Sequence, residues 1–550
     1  MRPLLPPPSL PYRHGLDVVA EVVRALVRPE PAATGRRAAV EPGPAAPEAE
    51  DLPSERNLFL RRPWLGCLLC LVVLAAIAGR GLYGSGALLG GALLPAPETA
   101  GTWWRLFFGS WHVVGVGSAA PAPPYVLALA APATLVWSSP GLVVDLLMLA
   151  AVPLAAATAH RLARTIFGSR PTQIWWSVTY ALLVVATGAV AQGRIGTVVA
   201  LVLAPVIVNA TVALVRVPHW QNGVRLALWL AAATAFAPLA YLLAAVPLVV
   251  VAIVRLRGRR LWPVVIALAL PWPMLGSWMW ARALDPVAWW WEAGRADAGV
   301  GVLDPGVWQI ALGRPGGPGG APAWVGAGLL VGGILALLRA DRRGQVLLAW
   351  LAGLVGLGFA VLGAGTYFTP ETSSDPVTVW IGLPVACWLA AMAAAAGLAA
   401  DGARDYLAGR RFGPVQPLAA VVAVAAVLAP ALAGAWWVVR STGDPLERSA
   451  PSALPAYLAA RAEAGQGTLV IRGTTAQGVD FDVYRRDGDR LGDEAVAPDA
   501  GEATSLGRTV TAMLANPSPA QLDELAAYHV SAVYLAPPAD RRLVQVLDSA

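Results

Sequence analysis

Lysine is missing altogether: all 40 basic residues of this 550-residue chain are arginine. That bias points to a GC-rich genome more than to selection for bidentate phosphate contacts. Charged residues make up only 13%, with a formal net charge of +6. The arginines sit at the ends of apolar runs instead of forming one basic stripe, so no nucleic-acid partner is expected. Cysteine is scarce as well. Cys67, Cys70 and Cys387 fall inside apolar runs; the CxxC of the first two lacks a second ligand pair and would face hydrocarbon, which leaves it without a metal or redox role. The Walker A, GxSxG, HExxH and dinucleotide motifs are absent, which excludes a transporter subunit carrying its own ATP motor. No cleavable signal peptide is apparent, because the first apolar run starts some sixty residues in, behind a proline- and charge-rich segment.

What the chain has in abundance is apolar length. It is 57% hydrophobic with a mean hydropathy of +0.59, and its apolar stretches are long enough to cross about 30 Å of hydrocarbon. The expected fold class is an α-helical polytopic membrane protein. Crossings are expected near 64–82, 140–160, 172–192, 197–216, 225–237, 239–255, 261–281, 323–340, 345–363, 378–398 and 415–439, about eleven in all. The stretch 225–255 reads as one tilted helix broken at Pro238 or as a hairpin of two short ones, and 124–137 is too short to span comfortably, as a re-entrant or surface segment would be. Arginine collects at Arg61 and Arg62, at Arg161, Arg164 and Arg170, at Arg255, Arg257, Arg259 and Arg260, and at Arg342, Arg343, Arg410 and Arg411. Cytoplasmic loops carry such an excess, which places the N-terminus inside and the acidic loops outside in a plasma membrane.

Three polar regions flank or interrupt the bundle. Residues 1–60 read as a cytoplasmic, largely disordered tail with one short helix over 16–28. The bundle, 61–440, carries outer loops at 83–123 and 282–322, the latter ending in the flexible-looking GRPGGPGG. Residues 441–550 alternate strand and helix patterns: strands at 468–472, 479–484 and 530–535, helices at 505–514, 519–528 and 540–549. This predicts a small extracytoplasmic α/β domain. It stops on a helix without a closing strand, as a fragment of a longer protein would.

The residues fit for chemistry gather on the outer side. Loop 83–123 is rich in aromatics and poor in charge, and a loop that long between membrane helices is usually functional. Trp103, Trp104 and Trp111 have the flat apolar faces that suit sugar rings, although tryptophan also forms the ordinary interfacial belt. Glu98 and His112 are candidates for a general base, and Asp145, in GLVVDLLML, is an ionisable group in a membrane helix. Asp145 could equally pair with Arg194. Gln192 and Arg194 occupy the turn AQGRIGT, where the guanidinium could hold a phosphate. Asp285, Glu292, Asp297 and Asp304 of the second loop are candidates for acid–base work or for a divalent cation, and loop carboxylates of this kind are mostly solvated. Asp480, Asp482, Asp487, Asp489, Asp493 and Glu494 resemble a cation loop but lack EF-hand spacing, so a solvated turn is expected.

The segments GGALLPAP…WWRLFFGSWHVVGVGSAAPAPPY and VTYALLVVATGAVAQGRIGTVVALVLAPV (178–206) resemble the multipass region associated with family-2 glycosyltransferases in actinobacterial envelope proteins. They are also distantly similar to the membrane part of arabinofuranosyltransferases of the GT-C type. The resemblance covers most of 58–550. It implies a glycosyltransferase that takes a polyprenyl-phosphate sugar and transfers it on the outer face to an envelope glycan acceptor, in contact with membrane lipid and served by a separate family-2 enzyme. Two departures stand out: residues 1–60 are too short for a nucleotide-sugar transferase domain, and the first outer loop lacks paired acids, with Glu98 and His112 their nearest substitutes. A non-catalytic module, or a transporter or flippase for a glycan or lipid, is the alternative.

Overall fold

The computed structural model describes residues 63–295, 305–368, 377–402, 415–450, 454–463, 465–474, 478–496, 500–537 and 541–548. The expected N-terminal tail and its helix, Arg410 and Arg411, and Asp297 and Asp304 lie outside the described residues.

The bundle begins with α1 (Pro63–Ala78), strand β1 (Ala87–Leu89), α2 (Ala100–Phe108), α3 (Pro124–Leu135), α4 (Pro140–Leu149), α5 (Ala151–Ile166), α6 (Arg170–Ala186) and α7 (Ile195–Arg216). It continues with α8 (Trp220–Phe236), α9 (Leu239–Arg255), α10 (Trp262–Ala269), α11 (Pro271–Leu284), the short α12 (Val307–Ala311), α13 (Ala323–Leu335) and α14 (Arg343–Ala364). After the small hairpin β2 (Tyr367–Phe368) and β3 (Val377–Thr378) come α15 (Gly382–Ala400) and α16 (Val415–Arg440). Among the described residues, five helices are long and apolar enough to cross a bilayer, or up to seven when each of two bent pairs counts as one span.

The crossings expected near 64–82, 197–216, 345–363, 378–398 and 415–439 correspond to those five helices, while the other six map onto shorter or bent pieces, where proline sets most of the breaks. Having no N–H and a fixed φ, it suits the first turn of a helix and stops an earlier one. Pro238 separates α8 from α9, resolving 225–255 into two helices; Pro271 opens α11 at a 47° bend from the segment before it. Segment 124–137 forms α3, which meets α4 at 107°. The elbow between them is strained: Trp137 and Ser138 have φ of 47° and 54°, a left-handed conformation that costs about 1–3 kcal/mol per non-glycine residue.

Helix α15 is the core, with two-thirds of its apolar window buried. Glycines let α14 approach it closely: a Cβ on Gly356 would lie 2.8 Å from the Pro384 carbonyl, and one on Gly353 3.0 Å from Ala391. Such small residues are how membrane helices gain packing when lipid offers no hydrophobic drive. At the helix ends beside α14 and α6, the buried Asp401 accepts from the Gly168 and Ser169 amides, both at 2.9 Å, and pairs with Arg342 at 3.4 Å.

The chain beyond α16 returns to the opposite end. Strand β4 (Glu447–Ser449) pairs antiparallel with β1, Leu88 opposite Arg448. The remaining elements are α17 (Ala456–Glu463), β5 (Gly467–Thr474), β6 (Gly478–Tyr484), α18 (Ala500–Ala515), α19 (Pro519–Ala527), β7 (Val530–Leu535) and α20 (Arg541–Asp548). The sheet order is β6-β5-β7, with β5 antiparallel to β6 and parallel to β7. A parallel pair needs a crossover, which α18 and α19 provide. Leu469 and Ile471 of β5 pack with Leu506, Val510 and Met513, while Val470 packs with Leu454 and Leu458 on the other face. Burial on both faces explains why TLVIR is continuously apolar instead of alternating.

Asp145 does not pair with Arg194. Its partner is Arg448, at 2.7 Å, whose other nitrogens donate to the Leu82 and Gly86 carbonyls at 2.7 and 2.9 Å. One guanidinium thereby fastens α4, the end of the first span and strand β4. A double-mutant cycle of Asp145→Asn and Arg448→Gln, read by thermal unfolding in detergent, should give a coupling of about 1–3 kcal/mol; additive effects would show the pair to be incidental.

Candidate functional site

Three segments converge at the end of the bundle where β1 and β4 pair. The first loop meets the 187–194 turn through Ala92 N–H, which donates to the Gln192 carbonyl at 2.8 Å. The second loop joins them: Arg295 N–H donates to the Ala92 carbonyl at 2.9 Å, and Ala293 N–H to the Phe236 carbonyl at 2.8 Å. Glycine makes the contact possible. A Cβ on Gly91 (φ 58°) would lie 2.2 Å from the Gln192 carbonyl oxygen, and one on Gly193 (φ 63°) 2.4 Å from that of Gly90. Only a residue without a side chain takes both that backbone conformation and that approach.

Under this junction lies a buried polar node. Arg194, at the start of α7, is 1% exposed; its Nε stands 3.8 Å from a Glu292 carboxylate oxygen, its Nη1 donates to the Arg295 carbonyl at 3.3 Å, and its guanidinium lies 5.0 Å from the Trp380 ring centre. Trp380 Nε1 donates to Thr197 Oγ1 at 2.9 Å, and Thr197 Oγ1 donates to Glu292 Oε2 at 2.5 Å. Burial pushes the Glu292 carboxyl up, while Arg194 and the threonine bond hold it down. Glu292 is therefore enclosed and not the solvated loop carboxylate expected. Asp285 has the local task of accepting from the Val287 amide at 2.9 Å.

The glycine-rich GRPGGPGG is also packed and not a free linker. Gln192 Nε2 donates to the Pro318 carbonyl at 2.9 Å and to that of Gly316 at 3.4 Å, and a Cβ on Gly319 would come 2.1 Å from the Ala191 methyl.

The C-terminal unit seats on the same junction. Trp103 is fully buried, and its Nε1 donates to the Leu491 carbonyl at 2.8 Å; Leu491 N–H donates to the Pro95 carbonyl at 2.9 Å. Glu494 accepts from Tyr125 OH, from Gly492 N–H at 2.8 Å and from Gly294 N–H at 3.2 Å, and burial raises its carboxyl. Asp493, 3% exposed, pairs with Arg486 at 2.9 Å, Asp487 with Arg490 at 2.7 Å and Asp482 with Arg472 at 3.6 Å. The expected solvated turn is thus an ion-paired seam; the Asp480 side chain lies outside the described set. Among the described residues no three His, Cys, Asp or Glu side chains are grouped to hold a metal ion.

The other expected residues lie in the first loop and helix α2. Glu98 is exposed just before α2. His112 is buried, and its backbone exchanges two hydrogen bonds with Ser118, at 2.7 and 3.0 Å. Trp104 is half-buried, stacks on Phe108 and donates to Thr134 Oγ1 at 2.8 Å. Trp111 is 58% exposed, its ring lying where a Cβ on Gly117 would go. Ser138 Oγ accepts from Ala100 N–H at 3.2 Å, which ties the elbow to the first turn of α2, and Trp137 beside it is 91% exposed. Sequence reasoning passed over Trp137, Trp380 and Thr197; the lone signal was Trp137 standing before two serines and a proline.

With this geometry in hand, the fold can be placed. No protein-family model matches the chain, and no curated protein matches it. Among solved structures it is similar to the cryo-EM structure of the arabinofuranosyltransferase AftD from Mycobacteria, with a TM-score of 0.55 and 17% identity over 88% of this chain and 36% of that one. A mutant form of the same protein gives a TM-score of 0.52 and 15% identity, over 87% of this chain and 37% of that one. The chain therefore spans little more than a third of the structures it matches. It shares the fold of that part of those structures, and five helices among its described residues are long and apolar enough to cross a membrane.

The seam between loop and C-terminal unit makes stability depend on pH. Burial, helped by Asp482 and Asp493, lifts Asp489 from 3.8 to about 7, against Arg295 and Arg486. A carboxyl raised on folding binds its proton more tightly in the folded state, so its contribution is whole below pH 3.8 and lost as pH rises towards 7. Unfolding temperature should fall across that window in the natural chain and more shallowly in Asp489→Asn; identical slopes in the two proteins would refute the assignment.

Proposed function

We propose that this chain is a membrane-embedded glycosyltransferase that moves a sugar from a polyprenyl-phosphate donor to a glycan acceptor in cell-envelope polysaccharide assembly. The observation that carries the reading is the fold shared with an arabinofuranosyltransferase over most of the chain. A likeness at this identity defines a fold, and the activity is our inference from it together with the aromatic loops. In this reading residues 61–440 are the bundle, residues 1–60 are cytoplasmic, and both loops with the unit 441–550 face outward. The arginines at Arg161, Arg164, Arg255, Arg257, Arg259, Arg260, Arg342 and Arg343 support that orientation, since they flank helix ends remote from the loop junction.

Glu98 is the base in this proposal, because it is exposed in the first loop while Asp145 is committed to Arg448 and His112 is buried. Its carboxylate takes the proton of an acceptor hydroxyl as that oxygen bonds to the anomeric carbon. The bond from that carbon to the phosphate oxygen breaks, and polyprenyl phosphate leaves with the electron pair. Trp104 and Trp111 offer faces to the sugars. Trp103, Gln192 and Arg194 act by holding the loops, since all three are buried. The donor lipid would reach the first loop from the bilayer, supplied by a separate family-2 glycosyltransferase.

Purified protein in nanodiscs, given radiolabelled polyprenyl-phosphate sugars and a glycan acceptor, should show transfer. Glu98→Gln should lower its rate by about 10²–10⁴-fold, the usual worth of a general base. Unchanged transfer would remove Glu98. Saturable solute uptake into proteoliposomes with no transfer would favour the transporter alternative. Orientation has its own check: in a cysteine-free background, Trp111→Cys should react with an impermeant maleimide from outside intact cells, and labelling only after permeabilisation would reverse the topology.

A further inference from the structure

We infer that the elbow between α3 and α4 is the acceptor-glycan platform, with the Trp137 ring as its floor and Glu98 at its edge. The inference rests on the transferase reading above and names a subsite within it. Trp137 is 91% exposed, the most open of the large apolar side chains in the described residues. It is not loose. Its left-handed backbone is followed by Ser138, also left-handed, whose hydroxyl accepts from the Ala100 amide at 3.2 Å. Glu98 lies two residues before Ala100, so the same bond ties the chain segment that carries this exposed carboxylate to the elbow.

The surroundings decide what such a ring is for. The exposed residues around it include Thr99, Thr134 and Ser138 as well as Glu98. A sugar ring has an apolar C–H face that stacks on an indole and a polar edge of hydroxyls that needs such partners. The hydrocarbon interior of a bilayer would take the ring and the neighbouring Leu135, but the exposed Thr99, Ser138 and Glu98 on the joined segments would lose their water there. The combination therefore favours a carbohydrate, laid flat on the indole with one hydroxyl turned to Glu98.

The test uses the full chain in nanodiscs and a panel of synthetic pentose and hexose oligosaccharides. Trp137→Ala should raise the acceptor KM about tenfold while kcat at saturating acceptor changes little, and Trp137→Phe should restore most of the affinity. Glu98→Gln should instead lower kcat. Direct binding of the best panel member, measured by calorimetry without donor, should weaken by the same factor in Trp137→Ala. An unchanged KM with transfer intact would overturn the platform and leave the transferase reading standing. Absence of transfer and of binding to every panel member in the natural chain would overturn both. A bimane label at Trp137→Cys quenched by doxyl lipids would assign the ring to the bilayer and also overturn the platform.

Discussion

A guanidinium can be enclosed in an apolar interior only with acceptors to receive its N–H groups, a carboxylate above all. The placement of Arg194 at the head of α7 and Glu292 in the second loop follows from that requirement. Once Arg194 is covered by Trp380, the second loop must fold back to bring Glu292 and the Arg295 carbonyl to it. That return path threads Ala293 to Phe236 and Arg295 to Ala92, and so fixes the first loop as well. Two loops that belong to distant parts of the sequence become one surface.

This division of labour separates residues that hold from residues that can touch a substrate. The buried set, Trp103, Gln192, Arg194, Glu292 and Trp380, is engaged with backbone carbonyls, with Thr197 or within itself. The exposed set, Glu98, Trp111 and Trp137, comes from the first loop and the elbow tied to it by the Ala100–Ser138 bond. Tryptophan serves both purposes in this protein. Trp103 is a peg through the C-terminal unit, while Trp137 stands clear of everything.

Much of the architecture was legible because its signals are local. Helix α7 follows the apolar run ending at Arg216, Pro238 marks the break between α8 and α9, and TLVIR, VDFDVY and VSAVYL are strands within two residues of expectation. Partners were not legible. Asp145 and Arg448 are 303 residues apart, and no periodicity connects them. Glu292, Asp493 and Glu494 were read as solvated because their burial depends on chain segments folding over them, which composition does not encode. The glycine-rich segment misled for a related reason: the same absence of a side chain permits either freedom or very close packing, and the Gln192 contact selects the second. Trp137 escaped notice because its exposure comes from the 107° bend and a pair of left-handed residues.

Asp401 lies far from all of this. Its two oxygens bind consecutive amides ahead of α6 while it meets Arg342 ahead of α14, so three chain segments share one knot. The other end carries the long loops and a separate folded unit resting on a titratable seam. Helices α6 and α15 are therefore held at both ends, by Asp401 at one and by the 187–194 turn and the Trp380–Thr197 bond at the other. Tilting either of these helices as a rigid body would break hydrogen bonds at one end or the other, which makes the pair the stator around which the remaining helices are arranged.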